Sequence, residues 1–334
     1  MAFFAVAATM ACRKPVAARE LTDNRAPAGY PAGAIAAAAP ENSPLTEARA
    51  RLGRRLFYEK RLSRTATIAC ASCHHQARAF ADSAPLSVGV DMRKGTRNAP
   101  ALVNRAWGSS FFWDGRASSL EELARQPIEN PIEMDLRIAD AVAVVRDDPS
   151  YSREFAAAFG GAGVTEQTLT RALASFVRTL VSGNSAYDRH LRADDRLFGA
   201  AEKRGEAIFF SRQGGCFRCH PAGPFTNNGY FNNGTYVAGG DAGRQGITRR
   251  IGDLGKFKVP TLRNVAASAP YMHDGSIASL QDVIDQYARG GRGDPSTDPL
   301  IRPLALTDRD KADLIAFLGS LSDDDFLTDP RYGP

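Results

Sequence analysis

Two short motifs concentrate the chemistry of this 334-residue chain: "CASCH" (Cys70, Cys73, His74) and "CFRCH" (Cys216, Cys219, His220). In C-x-x-C-H the two thiols are spaced to form thioethers with the vinyl groups along one edge of a haem. The adjacent histidine is then held beneath the iron as an axial ligand. These motifs use four of the five cysteines. The competing assignments are a disulfide pair and a four-cysteine zinc site. Zinc ribbons bring their two knuckles within about 15–20 residues of each other, whereas Cys73 and Cys216 stand far apart in the chain, and each knuckle carries its histidine in the haem position. The sequence therefore predicts two covalently bound haem c groups, a chemistry that suits an exported, periplasm-like compartment.

The second face of each iron needs a ligand or stays open. Among five histidines, His74 and His220 are the proximal ligands, and His75 is tied by its neighbour to the wrong face of its own haem. His190 and His273 remain, with Met92, Met134 and Met272 as thioether candidates. Electron-transfer cytochromes close both irons, typically with Met or His. The thin supply here favours at least one open iron and hence chemistry, although Met92 stays a candidate for the first haem at rest.

The elements that position these groups are duplicated. Shifted by 160 residues, "PALVNRAWGSSFFWDGRASSL" (100–120) lies without a gap on "PTLRNVAASAPYMHDGSIASL" (260–280). Similar amphipathic stretches, "ARLGRRLFYEKRL" and "EKRGEAIFFSR", precede the two haem motifs. Segments such as "QTLTRALASFVRTLV", "SLQDVIDQYA" and "DRDKADLIAFLGSL" have helical spacing behind Ser or Thr caps, as at Thr165 and Thr307, and few runs alternate like strands. The expected fold is mainly α: two related c-type cytochrome domains, 45–185 and 186–334, each with one haem. In the second copy Leu280, Ile284 and Tyr287 share a helix face. In the first copy the position of Tyr287 is taken by Pro127, which is expected to stop the equivalent helix. Tyr287 is either an ordinary core aromatic or a phenolate offered to the second iron.

The flanks and composition set bounds. The apolar start "MAFFAVAATMAC" reads as a signal peptide or lipoprotein signal over 1–18, with Cys12 a candidate for a lipid anchor, and the Ala/Pro-rich 19–44 reads as a flexible tether. The chain is periplasmic by this reading, as a possible membrane-anchored lipoprotein. No stretch, the N-terminal one included, reaches the roughly 18 apolar residues of a membrane span. With 43% hydrophobic and 24% charged residues and a net charge of +5, the composition is globular and offers no strong case for nucleic acid. The densest basic run, Arg51 to Arg64, reads first as a solvated helix face.

The two haem motifs with "RNAPAL", "FWDGRA", "NPIEM", "KVPTLRNV" and "YMHDGS" resemble the bacterial di-haem cytochrome c peroxidase and MauG superfamily over roughly 48–320. The resemblance implies that the His74 haem binds peroxide. It implies that Glu133 of "NPIEM" is the distal acid–base group, and that Trp113 of "FWDGR" conducts electrons between the haems. It also implies an inter-domain calcium site from Asn98 and the backbone oxygens of Ser268 and Pro270, where oxygen-only ligation suits a hard cation. Apart from those motifs, Trp113 reads as core packing and Glu133 as a surface or cap residue. Ordinary members place a histidine before "NAP" that blocks the first haem; here Val90 occupies that place. They also ligate the second iron with methionine, where this chain has Tyr287, as in the MauG-like branch. Against that branch, the tryptophan two residues before its second haem motif is Gly214 here, and the pocket glutamine is Leu123. The resemblance implies a dihaem peroxidase drawing electrons from a small cytochrome or cupredoxin. The alternatives are a MauG-like modifier of a Trp or Tyr on a partner protein, and a non-catalytic dihaem cytochrome.

Overall fold

Helices begin where the sequence supplies side-chain caps. Thr46 Oγ1 accepts the Arg49 N–H at the start of α1 (Glu47–Phe57), relieving one of the amides that a first turn leaves without a partner. Ser119 opens α2 (Leu120–Glu129) in the same way, followed by α3 (Ile138–Arg146) and α4 (Pro149–Phe159). Thr165 caps α5 (Glu166–Thr179). The second half contributes α6 (Ala186–His190), α7 (Ala200–Phe209), α8 (Gln245–Thr248), α9 (Leu280–Ala288), α10 (Asp308–Gly319) and α11 (Asp324–Thr328), with Ser279 and Thr307 capping α9 and α10. The computed structural model describes Tyr30, residues 39–41 and 43–334. The expected signal segment, Cys12 and most of the expected tether lie outside the described residues. Among the described residues the strands are β1 (Tyr230–Phe231) and β2 (Phe257–Lys258), paired antiparallel, and no helix is long and apolar enough to cross a membrane. The fold is mainly α.

Two apolar cores are built to one plan. In the first, α1 crosses α5 at Gly53, where a Cβ would stand 1.9 Å from the Ala172 carbonyl oxygen. In the second, α7 crosses α10 at Gly205, where a Cβ would stand 2.0 Å from the Asp313 carbonyl oxygen. Only glycine lets the backbones approach this closely. Beside each crossing an aromatic pair fills the core, Phe57 on Phe176 and Phe209 on Phe317, both with centroids 5.1 Å apart. Burying such a ring is worth about 1.5–3 kcal/mol. Arg263 stands where the first copy has Val103, and it is fully buried with Asp188 as its ion-pair partner at 2.8 Å. The C-terminal segment leaves the second core. Phe326 packs in the first core against Phe80, and Tyr58 Oη donates to the Tyr332 carbonyl at 2.8 Å.

The expectation that Pro127 stops its helix is corrected. Helix α2 runs through Pro127 to Glu129. Proline removes one amide donor near the end of the helix, and the next turn still closes through Asn130 N–H to the Gln126 carbonyl at 2.9 Å. Proline at this position costs a hydrogen bond but lies too close to the natural end to break the helix.

The halves meet through paired, pseudo-symmetric contacts. Asn98 N–H donates to the His273 carbonyl, and Lys258 N–H donates to the Trp113 carbonyl, both at 2.7 Å. Residues 98 and 258, and 113 and 273, are equivalent under the 160-residue shift, so this is one hydrogen bond made twice. Each Asp-Gly turn presses into the opposite half. Gly115 (φ +71°) is so close to Tyr230 that a Cβ would meet its hydroxyl at 1.7 Å, and Gly275 (φ +66°) packs so closely on Pro85 that a Cβ would stand 2.6 Å from its Cα. Both turns need a positive φ and no side chain.

Candidate haem sites

The two C-x-x-C-H motifs each form a short 3-10 turn that leads the histidine inward: Cys70–Ser72 before His74, and Cys216–Arg218 before His220. His74 Nδ1 lies 2.6 Å from the Phe80 carbonyl, and His220 Nδ1 lies 2.7 Å from the Phe225 carbonyl. A carbonyl only accepts, so each Nδ1 carries the proton and each Nε2 keeps a lone pair for iron. Burial lowers both imidazole pKa values, that of His220 to about 4. Both rings are therefore neutral at ordinary pH, as metal ligation requires. The four thiols are free. Burial raises them, Cys70 and Cys216 to about 12 and Cys73 and Cys219 to about 11. Cys70 packs against the first core and Cys216 against the second, which disposes of a shared four-cysteine zinc site. Histidine tautomer, free thiol pairs and separate cores fit one haem c at each motif.

A large, mostly apolar cavity lies over the second motif. Cys216, Cys219 and His220 line it together with Met272 and Tyr287 of the facing elements. Helix α9 brings Tyr287 there, with Ile284 buried on the same helix. The phenol is held by Asn233, whose Nδ2 donates to Tyr287 Oη and to Met272 Sδ, both at 3.3 Å. Burial pushes the phenol up to about 12, with the Asn233 hydrogen bond opposing and the Cys219 and Cys216 charges adding. The proton therefore stays on Tyr287 until a cation displaces it. Asn233 went unnoticed in the sequence because "NNG" reads only as a turn.

The first motif is accompanied by Glu133. Asn130 Nδ2 donates to Glu133 Oε1 at 2.7 Å. Burial raises the carboxyl, against smaller lowering effects from Asn130 and the Arg116 charge. The Glu133 charge in turn reaches Cys70 and Cys73, adding to the rise that burial gives those thiols. Arg116 lies 3.5 Å over the Phe112 ring and donates to Gln126 Oε1 at 2.9 Å. Val90, at the place of the blocking histidine, is buried and donates its N–H to the Glu133 carbonyl at 2.9 Å. Leu123 packs against the first core.

Trp113 lines the second cavity from the first half, and its Nε1 donates to the Asn98 carbonyl at 2.8 Å. Asn98 Nδ2 turns toward the Ala84 and Pro85 carbonyls at 3.2 Å, so its Oδ1 faces the other way. Asn98, Ser268 and Pro270 all border the same cavity. The remaining candidates separate clearly. Met92 is 80% exposed, and Met134 is buried in the first core. His190 is stacked on Phe198 at 4.2 Å with Nδ1 2.5 Å from Asp195. His75 Nε2 lies 3.8 Å from Asp82. His273 is buried and stacked on Phe257 at 3.6 Å, on the cavity wall. At Gly214 a Cβ would stand 2.3 Å from the Ile208 carbonyl oxygen, so the backbone leaves no room there for a tryptophan.

Residues 47–196 match the family model described as di-haem cytochrome c peroxidase. The chain is 39% identical over 285 residues to the methylamine utilization protein MauG of Methylorubrum extorquens, covering 84% of this chain and 80% of that one. It is 35% identical over 266 residues to the cytochrome c551 peroxidase of Nitrosomonas europaea, covering 78% of each. Among solved structures it is similar to a MauG-like protein associated with microbial copper homeostasis. The TM-score is 0.83 at 35% identity, over 88% of this chain and 95% of that one. The chain belongs to the di-haem cytochrome c peroxidase family, an oxidoreductase family in which its relatives are both peroxidases and MauG proteins.

Proposed function

We propose that this protein is a periplasmic dihaem peroxidase that reduces hydrogen peroxide at the His74 site with electrons from a small cytochrome or cupredoxin. The carrying observation is the asymmetry of the two sites. A buried carboxyl with a raised pKa accompanies His74, whereas a phenol faces His220 across the second cavity. Haem c at the two motifs would supply the iron that meets peroxide and the couple that stores oxidising equivalents.

The chain's own residues do the rest. Glu133, when ionised, takes a proton from peroxide and returns it to the departing oxygen. Asn130 fixes Oε1 and so leaves Oε2 to handle that proton. General acid–base help of this kind is worth about 10²–10⁴-fold. Val90 offers no ligand at the first site, which keeps that side accessible. Tyr287 would hold the second haem's iron as an anionic oxygen donor once its proton is displaced, and ligand identity is a main lever on potential. Asn233 then steadies the phenolate. Trp113 joins the sites through its place on the cavity wall and its hydrogen bond to Asn98. The oxygen atoms of Asn98, Ser268 and Pro270 would hold calcium at the same junction.

The second reading is MauG-like oxidation of a Trp or Tyr on a partner protein. Tyr287 and the 39% identity to a MauG protein favour it; Gly214 opposes it, because the backbone excludes that exit side chain. Steady-state peroxide turnover with reduced small donors separates the readings. Failure with every donor, alongside oxidation of a co-purifying protein, would sink the peroxidase. Both irons low-spin and six-coordinate at rest would favour a non-catalytic dihaem cytochrome.

A further inference from the structure

The loop from Asp241 to Lys256 is tightly pinned on its inner side and apolar on its outer side. Its ends meet through Arg244 N–H to the Lys256 carbonyl (2.8 Å) and Gly255 N–H to the Ala242 carbonyl (3.0 Å). Asp241 accepts from Arg97 Nε and Nη2 at 2.6 and 2.9 Å, and Arg97 Nη1 donates to Asp114 at 2.5 Å. Arg244 lays its guanidinium 3.8 Å over the Tyr230 ring and donates to the Asp114 carbonyl at 3.0 Å. Asp114 follows Trp113 in the chain. The loop is therefore fastened at two points to the turn that carries Trp113.

The outer face is dressed differently. Ile251 is 83% exposed and Ile247 is 47% exposed. At Gly246 and Gly252, beside them, an added Cβ would meet nothing within 4 Å, so among the described residues nothing covers this surface. Arg249 and Arg250 are exposed, and among the described residues no carboxylate holds either guanidinium. Of the loop's two acids, Asp241 is held by Arg97 and Asp253 is engaged by Thr248 Oγ1 at 2.8 Å and Lys256 Nζ at 3.4 Å.

Single exposed apolar residues are ordinary. Two isoleucines with two free arginines on an immobilised loop have instead the composition of an interface, with an apolar centre and a charged rim. We propose that this loop is the docking surface for a small redox protein whose redox edge is apolar and ringed by carboxylates. The proposal rests on the peroxidase reading. Each encounter delivers one electron on the Trp113 side. Two electrons and two protons convert one hydrogen peroxide to two waters, and two donor molecules leave oxidised.

The test uses the full dihaem protein with three reduced donors: an acidic plastocyanin-type cupredoxin, a basic mitochondrial-type cytochrome c, and a small dye. The wild type should prefer the acidic cupredoxin, with kcat/KM falling as salt rises. Arg249→Glu/Arg250→Glu should lower kcat/KM for that donor about tenfold or more at low ionic strength and leave dye turnover unchanged. Gly252→Glu, which the open backbone accommodates, should act in the same direction and guards against misfolding of the double variant. Unchanged cupredoxin kinetics in both variants, or a wild type with no preference for the acidic donor, would overturn the docking surface. A wild type that turns over peroxide with none of the three, dye included, would defeat the peroxidase reading itself and the proposal with it.

Discussion

Replacing Glu133 with glutamine tests the proton chemistry with little disturbance to the fold. The amide keeps an oxygen for Asn130 Nδ2, now 2.7 Å from Oε1, and it keeps the shape of the side chain. Such a hydrogen bond contributes about 0.5–1.5 kcal/mol net, so stability should stay within about 1 kcal/mol of wild type. The rate should not. Losing a positioned acid–base group costs about 10²–10⁴-fold, which at 1.36 kcal/mol per tenfold is about 2.7–5.4 kcal/mol of barrier. The assay is rapid mixing of the diferric enzyme with peroxide, following the haem absorbance to a second-order rate constant. The pH profile supplies a second readout. Burial raises the carboxyl above its ordinary value of 4.5, and the neutral form cannot accept the first proton. The wild-type rate should therefore fall as pH drops through a limb lying above 4.5, and the limb should vanish in Glu133→Gln. A variant within about threefold of wild type, or one that keeps the limb, would refute the assignment.

Gly214→Trp should lower stability by about 1–3 kcal/mol, because its Cβ would sit 2.3 Å from the Ile208 carbonyl oxygen; unchanged denaturation would show that this backbone yields easily. Asp188→Ala strands Arg263 in a pair with no exposure on either side and should cost about 3–5 kcal/mol in chemical denaturation, whereas a loss under 1 kcal/mol would mean that the pair is dispensable. Trp113→Phe keeps the ring but loses the 2.8 Å bond to Asn98; electron passage from the second haem to the first should slow in stopped-flow reduction, and an unaltered rate would remove Trp113 from the path.

What could be read from the sequence was local. The haem motifs announce themselves within five residues, and the caps at Thr165, Ser279 and Thr307 start their helices as spacing predicts. The 160-residue duplication exposed Tyr287, and α9 carries that residue to the cavity over the second motif. Pro127 misled because a proline near a helix end removes a bond without ending the helix. Asn233 stayed hidden because its partners Met272 and Tyr287 are remote in the chain. The same holds for Phe326, which crosses back into the first core, and for the twin bonds Asn98–His273 and Lys258–Trp113. Neither a period nor a motif encodes which half a returning segment will join, because that choice is made by tertiary packing.

The central claim is that Tyr287 closes the second iron while the first stays open. Electron paramagnetic resonance of the resting diferric protein, wild type beside Tyr287→Phe, tests it most directly. The account predicts one high-spin and one low-spin haem in the wild type, with only the low-spin signal altered by the substitution. Two low-spin haems at rest, or a low-spin signal indifferent to the loss of the Tyr287 hydroxyl, would contradict it.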